Sequence, residues 1–158
     1  MTEDKLVPAK EIESFSREDT FALGRKLGET AKQGEIYALS GDLGTGKTVF
    51  AKGFAAGLGI DSDVTSPTFT ILQVYEEGRL PLYHFDAYRI GDEEEMYEIG
   101  YEEYFFGDGV TLVEWPEMIE GLIPEDAVLL MIEKDPERGF DYRRITVKNA
   151  GHFDRPIN

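Results

Sequence analysis

The chain has 158 residues, 41% of them hydrophobic, which suffices for one domain with a single core that needs no metal or disulfide. It contains no cysteine, so disulfides, thiolate zinc sites and cysteine nucleophiles are excluded. Its 16 basic and 32 acidic residues give a net charge of −16, which should repel nucleic acid from most of the surface, so any work on RNA is expected to go through partners.

The sequence predicts a cytoplasmic protein that does not bind a membrane. The first thirty residues mix acidic and apolar positions, unlike the apolar core of a signal peptide or the basic face of a transit peptide. No segment approaches the roughly 20 apolar residues that cross a bilayer. We expect residues 1–158 to form a single domain with loose termini over 1–10 and 151–158.

The first half of the chain predicts two helices that flank a buried strand. The first helix begins at Ser16, an N-cap residue with Asp19 in the capping-box position, and ends before Gly34. An apolar run over 35–40 is typical of a buried strand, and helical periodicity over 49–58 predicts the second helix.

The second half of the chain predicts mainly strands. Two apolar runs around a polar turn at 76–79 predict a β-hairpin over 70–85. The remaining predicted elements are a helix over 92–105 and strands over 110–113, 127–132 and 144–147. Because the hairpin interrupts an otherwise parallel pattern, we expect a mixed sheet.

The octet Gly41-Asp42-Leu43-Gly44-Thr45-Gly46-Lys47-Thr48 matches the phosphate-binding loop pattern G-x-x-x-x-G-K-[ST] and lies between a predicted strand and a predicted helix. Glycines let backbone N–H groups point towards phosphate, and the helix start adds its positive dipole end. Lys47 should reach the β- and γ-phosphates, and the Thr48 hydroxyl should bind Mg²⁺. This context favours a nucleotide site over a glycine-rich turn that binds nothing. It predicts an α/β fold, a single three-layer P-loop NTPase-like domain with a mixed parallel and antiparallel sheet.

Hydrolysis also requires an acid that holds Mg²⁺ and a group that orients water. The run Val110-Thr111-Leu112-Val113-Glu114 is an apolar strand that ends in an acid, with glutamate where aspartate is commoner. It is the best match to the second motif of nucleotide hydrolases. The alternative is a strand-edge glutamate paired with a lysine.

A second constellation lies in Tyr83-His84-Phe85-Asp86-Ala87-Tyr88-Arg89. Alternation at a strand end would place His84, Asp86 and Tyr88 on one side. If this strand is the neighbour of the phosphate-loop strand, Asp86 would lie beside the loop as a direct or water-mediated Mg²⁺ ligand. The alternative is a hydrogen-bonded strand-end aspartate with a structural histidine.

Two polar clusters admit two interpretations each. Hydroxyls in Thr65-Ser66-Pro67-Thr68-Phe69-Thr70 follow the phosphate-loop helix, where nucleotide hydrolases often sense the γ-phosphate, but Ser-Pro is also a common turn signal. The acidic run Asp92-Glu93-Glu94-Glu95 is interpreted as a solvated helix start, where carboxylates meet the helix dipole, and not as a metal site.

The sequence favours ATP over GTP, because it contains no Asn-Lys-x-Asp run of the kind that selects guanine. Arg138, Arg143 and Arg144 leave open a second hypothesis, a kinase for a small metabolite. A third is a nucleotide-gated binding module with negligible hydrolysis, which fits the non-standard acid at Glu114. The adenine pocket is not placed, and its candidates are the region 16–20 and the three arginines.

Four motifs together resemble the TsaE family (YjeE, YdiB) of bacterial P-loop ATPases, and their order and spacing match over roughly residues 16–148. The motifs are Gly41–Thr48, Ser66–Thr70, Tyr83–Arg89 and Val113–Pro116. The resemblance implies a role in the threonylcarbamoyl modification of the adenosine beside the tRNA anticodon. It implies that the protein binds TsaB and TsaD, that its ATP hydrolysis keeps the complex turning over, and that the partners perform the carbamoyl transfer.

The resemblance also implies residue roles. Thr48, Glu114 and Asp86 would hold Mg²⁺, and Lys47, Asp86 and Glu114 would serve catalysis. Whether Glu114 instead polarises the attacking water stays open at this point. Val49 stands where a second threonine is common, with little consequence expected because it would contribute its backbone N–H. The residues that would bind the nucleotide are Gly41, Gly44, Thr45, Gly46, Lys47, Thr48 and Val49.

Overall fold

A seven-stranded sheet lies at the centre of the protein in a computed structural model that describes residues 10–62, 64 and 70–149. The strands are β1 (Lys10–Ser14), β2 (Ile36–Ser40), β3 (Leu72–Tyr75), β4 (Leu82–Asp86), β5 (Val110–Glu114), β6 (Val128–Lys134) and β7 (Arg143–Lys148). The helices are α1 (Arg17–Thr30), α2 (Lys47–Gly57), α3 (Glu94–Glu98) and α4 (Tyr101–Phe105), and 3₁₀ segments span Pro116–Leu122 and Pro136–Arg138.

The strand order is β1–β7–β6–β2–β5–β4–β3. The central strands β6, β2, β5 and β4 run parallel. Strand β7 runs antiparallel to both β6 and β1, and β3 runs antiparallel to β4. The predicted mixed sheet and the predicted hairpin are therefore confirmed.

Helices cover both faces of the sheet, which confirms the predicted three-layer α/β domain. On one face, α1 and α2 bury residues such as Phe54 against Leu39 and Leu112. On the other face, α3, α4 and the segment Pro116–Leu122 bury residues such as Phe105 against Val113. Adjacent residues of a strand thus enter opposite cores, as the period of two requires.

Helices α1 and α2 pack through glycines that are spaced four residues apart. These are Gly24 and Gly28 in α1 and Gly53 and Gly57 in α2. A Cβ at Gly28 would lie 2.2 Å from the carbonyl oxygen of Phe54, and one at Gly53 would lie 2.2 Å from that of Phe21. Only glycine permits so close an approach of two backbones. The contact holds α2, which begins at the phosphate loop, firmly against α1.

The predicted cap of α1 is confirmed at Ser16. Its Oγ accepts a hydrogen bond of 3.1 Å from the Asp19 N–H, and the Asp19 carboxylate accepts one of 2.9 Å from the Phe15 N–H. Two side-chain acceptors therefore satisfy backbone donors where the helix begins. The helix ends at Thr30, earlier than the predicted end before Gly34.

Two local predictions are wrong. The single helix predicted over 92–105 is two short helices, because Gly100 takes a left-handed φ of 68° between them. Residues 1–10 are predicted to be a loose terminus and no strand is predicted before the first helix, but Lys10–Ser14 forms β1 against β7. Only Ile12 and Ser14 of this edge strand turn towards the core, which leaves a weak hydrophobic pattern.

The predicted loose termini fall almost entirely on residues 1–9 and 150–158, which lie outside the described part of the chain. Across the described residues, no helix combines the length and apolar character needed to cross a membrane.

Candidate nucleotide-binding site

The phosphate loop connects the central strand β2 to α2, as the sequence predicts. Gly44 and Gly46 have φ values of 78° and 107°, in the region that favours glycine. Helix α2 begins at Lys47 directly after Gly46, which has no side chain to cap the helix. The N–H groups of the first turn have no acceptor within the helix, so the loop presents donors and a positive dipole end to a ligand.

Lys47 is folded back onto its own loop. Its Nζ donates to the carbonyl oxygens of Gly41 and, at 3.3 Å, of Asp42. It also lies 3.9 Å from the centroid of the Trp115 ring, a cation–π contact. Burial lowers the pKa of the Lys47 ammonium, and the negative charges of nearby carboxylates, that of Glu114 foremost, oppose this shift. A bound phosphate would therefore have to replace these contacts to engage Lys47.

Glu114 lies at the end of β5 in the centre of the sheet and is only 3% exposed, so it is not a strand-edge residue. Its Oε2 lies 2.7 Å from Nε2 of His84, which is fully buried on β4. The sequence predicts that Asp86 lies beside the loop if its strand is the neighbour of the phosphate-loop strand β2. That prediction of strand order is wrong, because β5 lies between β4 and β2. The carboxyl ends of these parallel strands still meet at one edge, so Glu114 lies between the loop and β4.

Asp86 lies directly beside Glu114 in the β4–β5 register and is half-buried. One of its oxygens accepts a hydrogen bond of 3.0 Å from the Tyr88 N–H. Burial raises the pKa of Asp86, and the charge of Glu114 adds to the rise, whereas the Tyr88 hydrogen bond opposes it. Two carboxylates in such an arrangement favour a cation between or near them.

A cavity of about 540 Å³ brings the predicted chemical groups together. It is lined by the loop residues Gly44, Gly46, Lys47, Thr48 and Val49, and by Asp86, Glu114, Trp115 and Tyr88. The predicted loop residues Gly41 and Thr45 do not line it and face a second cavity of about 380 Å³ behind the loop.

The predicted metal residues contribute a hydroxyl from Thr48 and carboxylates from Asp86 and Glu114. Hard oxygen ligands of this kind suit Mg²⁺, particularly when phosphate oxygens complete the coordination. No cluster of three or more histidine or acidic side chains that could hold a metal alone occurs in the ranges 10–62, 64 and 70–149. The donor set therefore fits Mg²⁺ that arrives with a nucleotide.

Arg143, one of the late arginines in the sequence, lies against the phosphate loop. Its Nε donates to the carbonyl oxygen of Thr45 at 2.7 Å, and its Nη2 lies 3.4 Å from that of Gly44. Its Nη1 also donates to the carbonyl oxygens of Phe140 and Tyr142. The fold explains this position, because β7 runs antiparallel to β6 and so begins where the parallel strands end.

The other two arginines lie away from the cavity. Arg138 is ion-paired with Glu13 at 2.7 Å, and Arg144 with Asp135 at 3.2 Å. From the 16–20 region, Arg17 lines the cavity together with the exposed side chain of Phe140. Of the candidates for the adenine pocket, Arg17 and Arg143 therefore lie at the cavity, whereas Arg138 and Arg144 lie outside it.

The acidic run 92–95 forms a helix start, as interpreted. Asp92 Oδ1 accepts from the Glu94 N–H at 3.0 Å, and Glu95 Oε2 accepts from the Gly91 N–H at 2.8 Å. The hydroxyl cluster 65–70 lies outside the described residues apart from Thr70, so neither of its two interpretations is tested.

A strand, a glycine-rich phosphate loop and a helix, set in a sheet with helices on both faces, define a P-loop nucleotide-binding fold. The family model described as "Threonylcarbamoyl adenosine biosynthesis protein TsaE" matches residues 14–145, and the chain belongs to this family.

Curated relatives and a solved structure agree with this assignment. The TsaE protein of Bacillus subtilis is 47% identical over 135 residues, 85% of this chain and 82% of the relative. That of Treponema pallidum is 44% identical over 119 residues, 75% of this chain and 87% of the relative. The crystal structure of B. subtilis YdiB matches with a TM-score of 0.74 and 39% identity, covering 92% of this chain and 88% of that one.

Proposed function

We propose that the chain is a Mg²⁺-dependent ATPase subunit required for the threonylcarbamoyl modification of the adenosine next to the tRNA anticodon. Family membership supports the pathway, since the related proteins are named for tRNA threonylcarbamoyladenosine biosynthesis. The protein acts in the cytoplasm with TsaB and TsaD. The net charge of −16 supports contact with tRNA only through that complex.

One observation carries the ATPase proposal: Lys47, Thr48, Asp86 and Glu114 line the same cavity at the start of α2. Thr48, Asp86 and Glu114 would hold Mg²⁺ directly or through its water molecules. Bound Mg²⁺ would withdraw charge from the phosphates. Lys47 would leave the loop carbonyls for the β- and γ-phosphates, and Glu114 would polarise the attacking water.

Two residues that line the cavity suit the base of the nucleotide. They are Arg17 and Phe140, and the Phe140 side chain is 90% exposed. A purine base stacks well on an aromatic or guanidinium plane. We place the adenine between Arg17 and Phe140, where binding would cover an exposed aromatic side chain.

The arginines that motivated the kinase hypothesis are engaged in contacts within the protein. Arg138 and Arg144 are paired with acids outside the cavity, and Arg143 donates to backbone carbonyls. The ATPase is therefore favoured over phosphoryl transfer to a metabolite. Release of γ-phosphate to water only would support this choice, and labelled transfer to a small molecule would overturn it.

The test is ATP turnover with and without TsaB and TsaD. Lys47→Ala should weaken ATP binding, whereas Glu114→Ala should reduce turnover far more than binding. Glu125→Ala, at an exposed position outside the cavity, is the matched control and should leave both quantities unchanged. Full partner-stimulated turnover in either of the first two variants would refute the proposed function.

A further inference from the structure

His84 is a buried histidine in contact with Glu114 on the adjacent strand. It lies on β4 opposite Leu112 of β5, and its side chain is fully buried. Its ring reaches along β5 to Glu114, where Nε2 and Oε2 are 2.7 Å apart. A carboxylate can only accept a hydrogen bond, so the proton of this pair belongs to Nε2.

The other ring nitrogen of His84 is buried without a matching group. Nδ1 has no hydrogen-bond partner within the described ranges. Buried polar atoms in native proteins are nearly always hydrogen-bonded, because an unpaired one loses its hydrogen bonds to water and gains none in the protein. A fold selected for stability alone would favour an apolar residue here. The imidazole therefore calls for another explanation, and its single hydrogen bond points to Glu114.

Glu114 needs such a contact if it acts on water. A glutamate side chain has three rotatable bonds, and the last of them has a broad energy profile, so its carboxylate plane is not fixed by the backbone. A group that orients or activates water must be held to within a fraction of an ångström. The hydrogen bond from His84 restrains one carboxylate oxygen and so limits the orientations open to the group.

We propose that His84 is a positioning residue that holds the Glu114 carboxylate in its working orientation through Nε2–H. This inference rests on the proposed ATPase function. Hydrogen-bond partners of this kind typically contribute 10- to 100-fold to the activity of the group they orient. Since His84 is buried behind Glu114 and does not line the cavity, its loss should reduce turnover and spare ATP affinity.

Two amide variants test the role of the individual nitrogen. The side-chain nitrogen of glutamine occupies the position of Nε2, whereas that of asparagine corresponds to Nδ1. His84→Gln should retain turnover within about threefold, and His84→Asn should lose roughly 10- to 100-fold with its ATP dissociation constant within about threefold of the parent. A purely structural role predicts that both variants keep their turnover and differ only in the free energy of unfolding.

The control for destabilisation is Tyr37→Phe, which removes a buried hydrogen bond of 2.7 Å to Glu35 at the opposite end of β2. It should lower the unfolding free energy and leave turnover unchanged. Equal turnover in the two His84 variants, or a loss expressed only in ATP affinity, would overturn the proposal.

A spectroscopic measurement tests the contact without hydrolysis. The chain has two histidines, so selective ¹⁵N labelling of the rings gives a spectrum in which the buried Nε2 proton of His84 should appear downfield and exchange slowly. Glu114→Gln should shift this signal, because a neutral amide is a weaker acceptor than a carboxylate. If the Nε2 proton signal of His84 is absent, or does not shift in Glu114→Gln, the positioning role is refuted even if the protein proves to be an ATPase. A present and sensitive signal in a protein without ATP turnover would instead count against the proposed function alone.

Discussion

Replacing Gly28 by alanine measures how much the close contact between α1 and α2 contributes to the fold. The added Cβ would lie 2.2 Å from the carbonyl oxygen of Phe54, whereas ordinary contact begins near 3.4 Å. To bring this distance from 2.2 to 3.4 Å, the two helices must separate locally by about 1.2 Å. The obstacle is backbone on a helix with its own hydrogen bonds, so no side-chain rotation relieves it.

Two energies of opposite sign decide the outcome. Alanine is favoured over glycine in a helix by about 1 kcal/mol, which stabilises the variant. Overpacking typically costs about 1–3 kcal/mol, and a clash with backbone belongs at the upper end of that range. The net effect should be a destabilisation of about 2 kcal/mol. For a chain of this size that corresponds to a loss of about 4–8 °C in the melting temperature.

Urea unfolding and thermal melting of the nucleotide-free protein measure this difference. Gly91→Ala is the control, because the nearest atom to its added Cβ lies 3.8 Å away, and it should be nearly neutral. Since α2 begins at the phosphate loop, Gly28→Ala should also weaken ATP binding. A Gly28→Ala protein as stable as the parent would show that the contact between the helices is not the constraint described.

Three further predictions concern the cavity. Lys47→Met should change the emission of Trp115, the only tryptophan, because it removes a cation 3.9 Å from the ring. Burial raises the pKa of Asp86 in the folded protein above its usual value near 3.8, so ionisation of this carboxyl lowers the free energy of unfolding. This loss of stability is absent below pH 3.8 and complete above the pKa of the folded protein. Asp86→Asn should therefore gain stability over the parent as the pH rises from about 3.8 towards neutrality in EDTA, as measured by urea unfolding. Arg143→Ala should weaken ATP binding roughly tenfold, the value of one charged hydrogen bond to the loop, as measured by calorimetry.

Matched variants separate these effects from general ones. Lys148→Met removes a lysine at the exposed end of β7 and should leave the emission unaltered. Glu98→Gln, at an exposed carboxyl on α3, should show no stability gain as the pH rises. Arg138→Ala removes an arginine outside the cavity and should bind ATP normally. Any of these controls behaving like its partner variant would contradict the local explanation.

The sequence predicts this fold well where the signal is local. The strand before the phosphate loop, the loop itself and the cap at Ser16 each follow from a few adjacent residues, and all are confirmed. The break at Gly100 is missed because glycine is also tolerated inside helices, and only the observed φ of 68° distinguishes the two cases. The glycines of α1 and α2 are missed for a different reason, since their partner is another helix.

The candidate site shows the same division. Alternation predicts that His84 and Asp86 share a face, but the distance from His84 to Glu114 depends on strand order, which the sequence pattern does not contain. The insertion of β5 between β2 and β4 is a non-local choice of pairing. It changes the expected neighbour of the loop from Asp86 to Glu114 and creates the buried histidine contact.

Strand direction explains why one late arginine reaches the loop and its neighbours do not. Parallel strands place their carboxyl ends at one edge of a sheet, and an antiparallel strand places its beginning there. Arg143 is the first residue of β7, which pairs antiparallel with β6, so its backbone position lies at the same edge as the loop, Asp86 and Glu114. Arg144, one residue further, points to the opposite face of the sheet and pairs with Asp135. A change of register by one residue in β7 would exchange the two arginines, so ATP affinity should depend on this pairing as well as on the loop sequence.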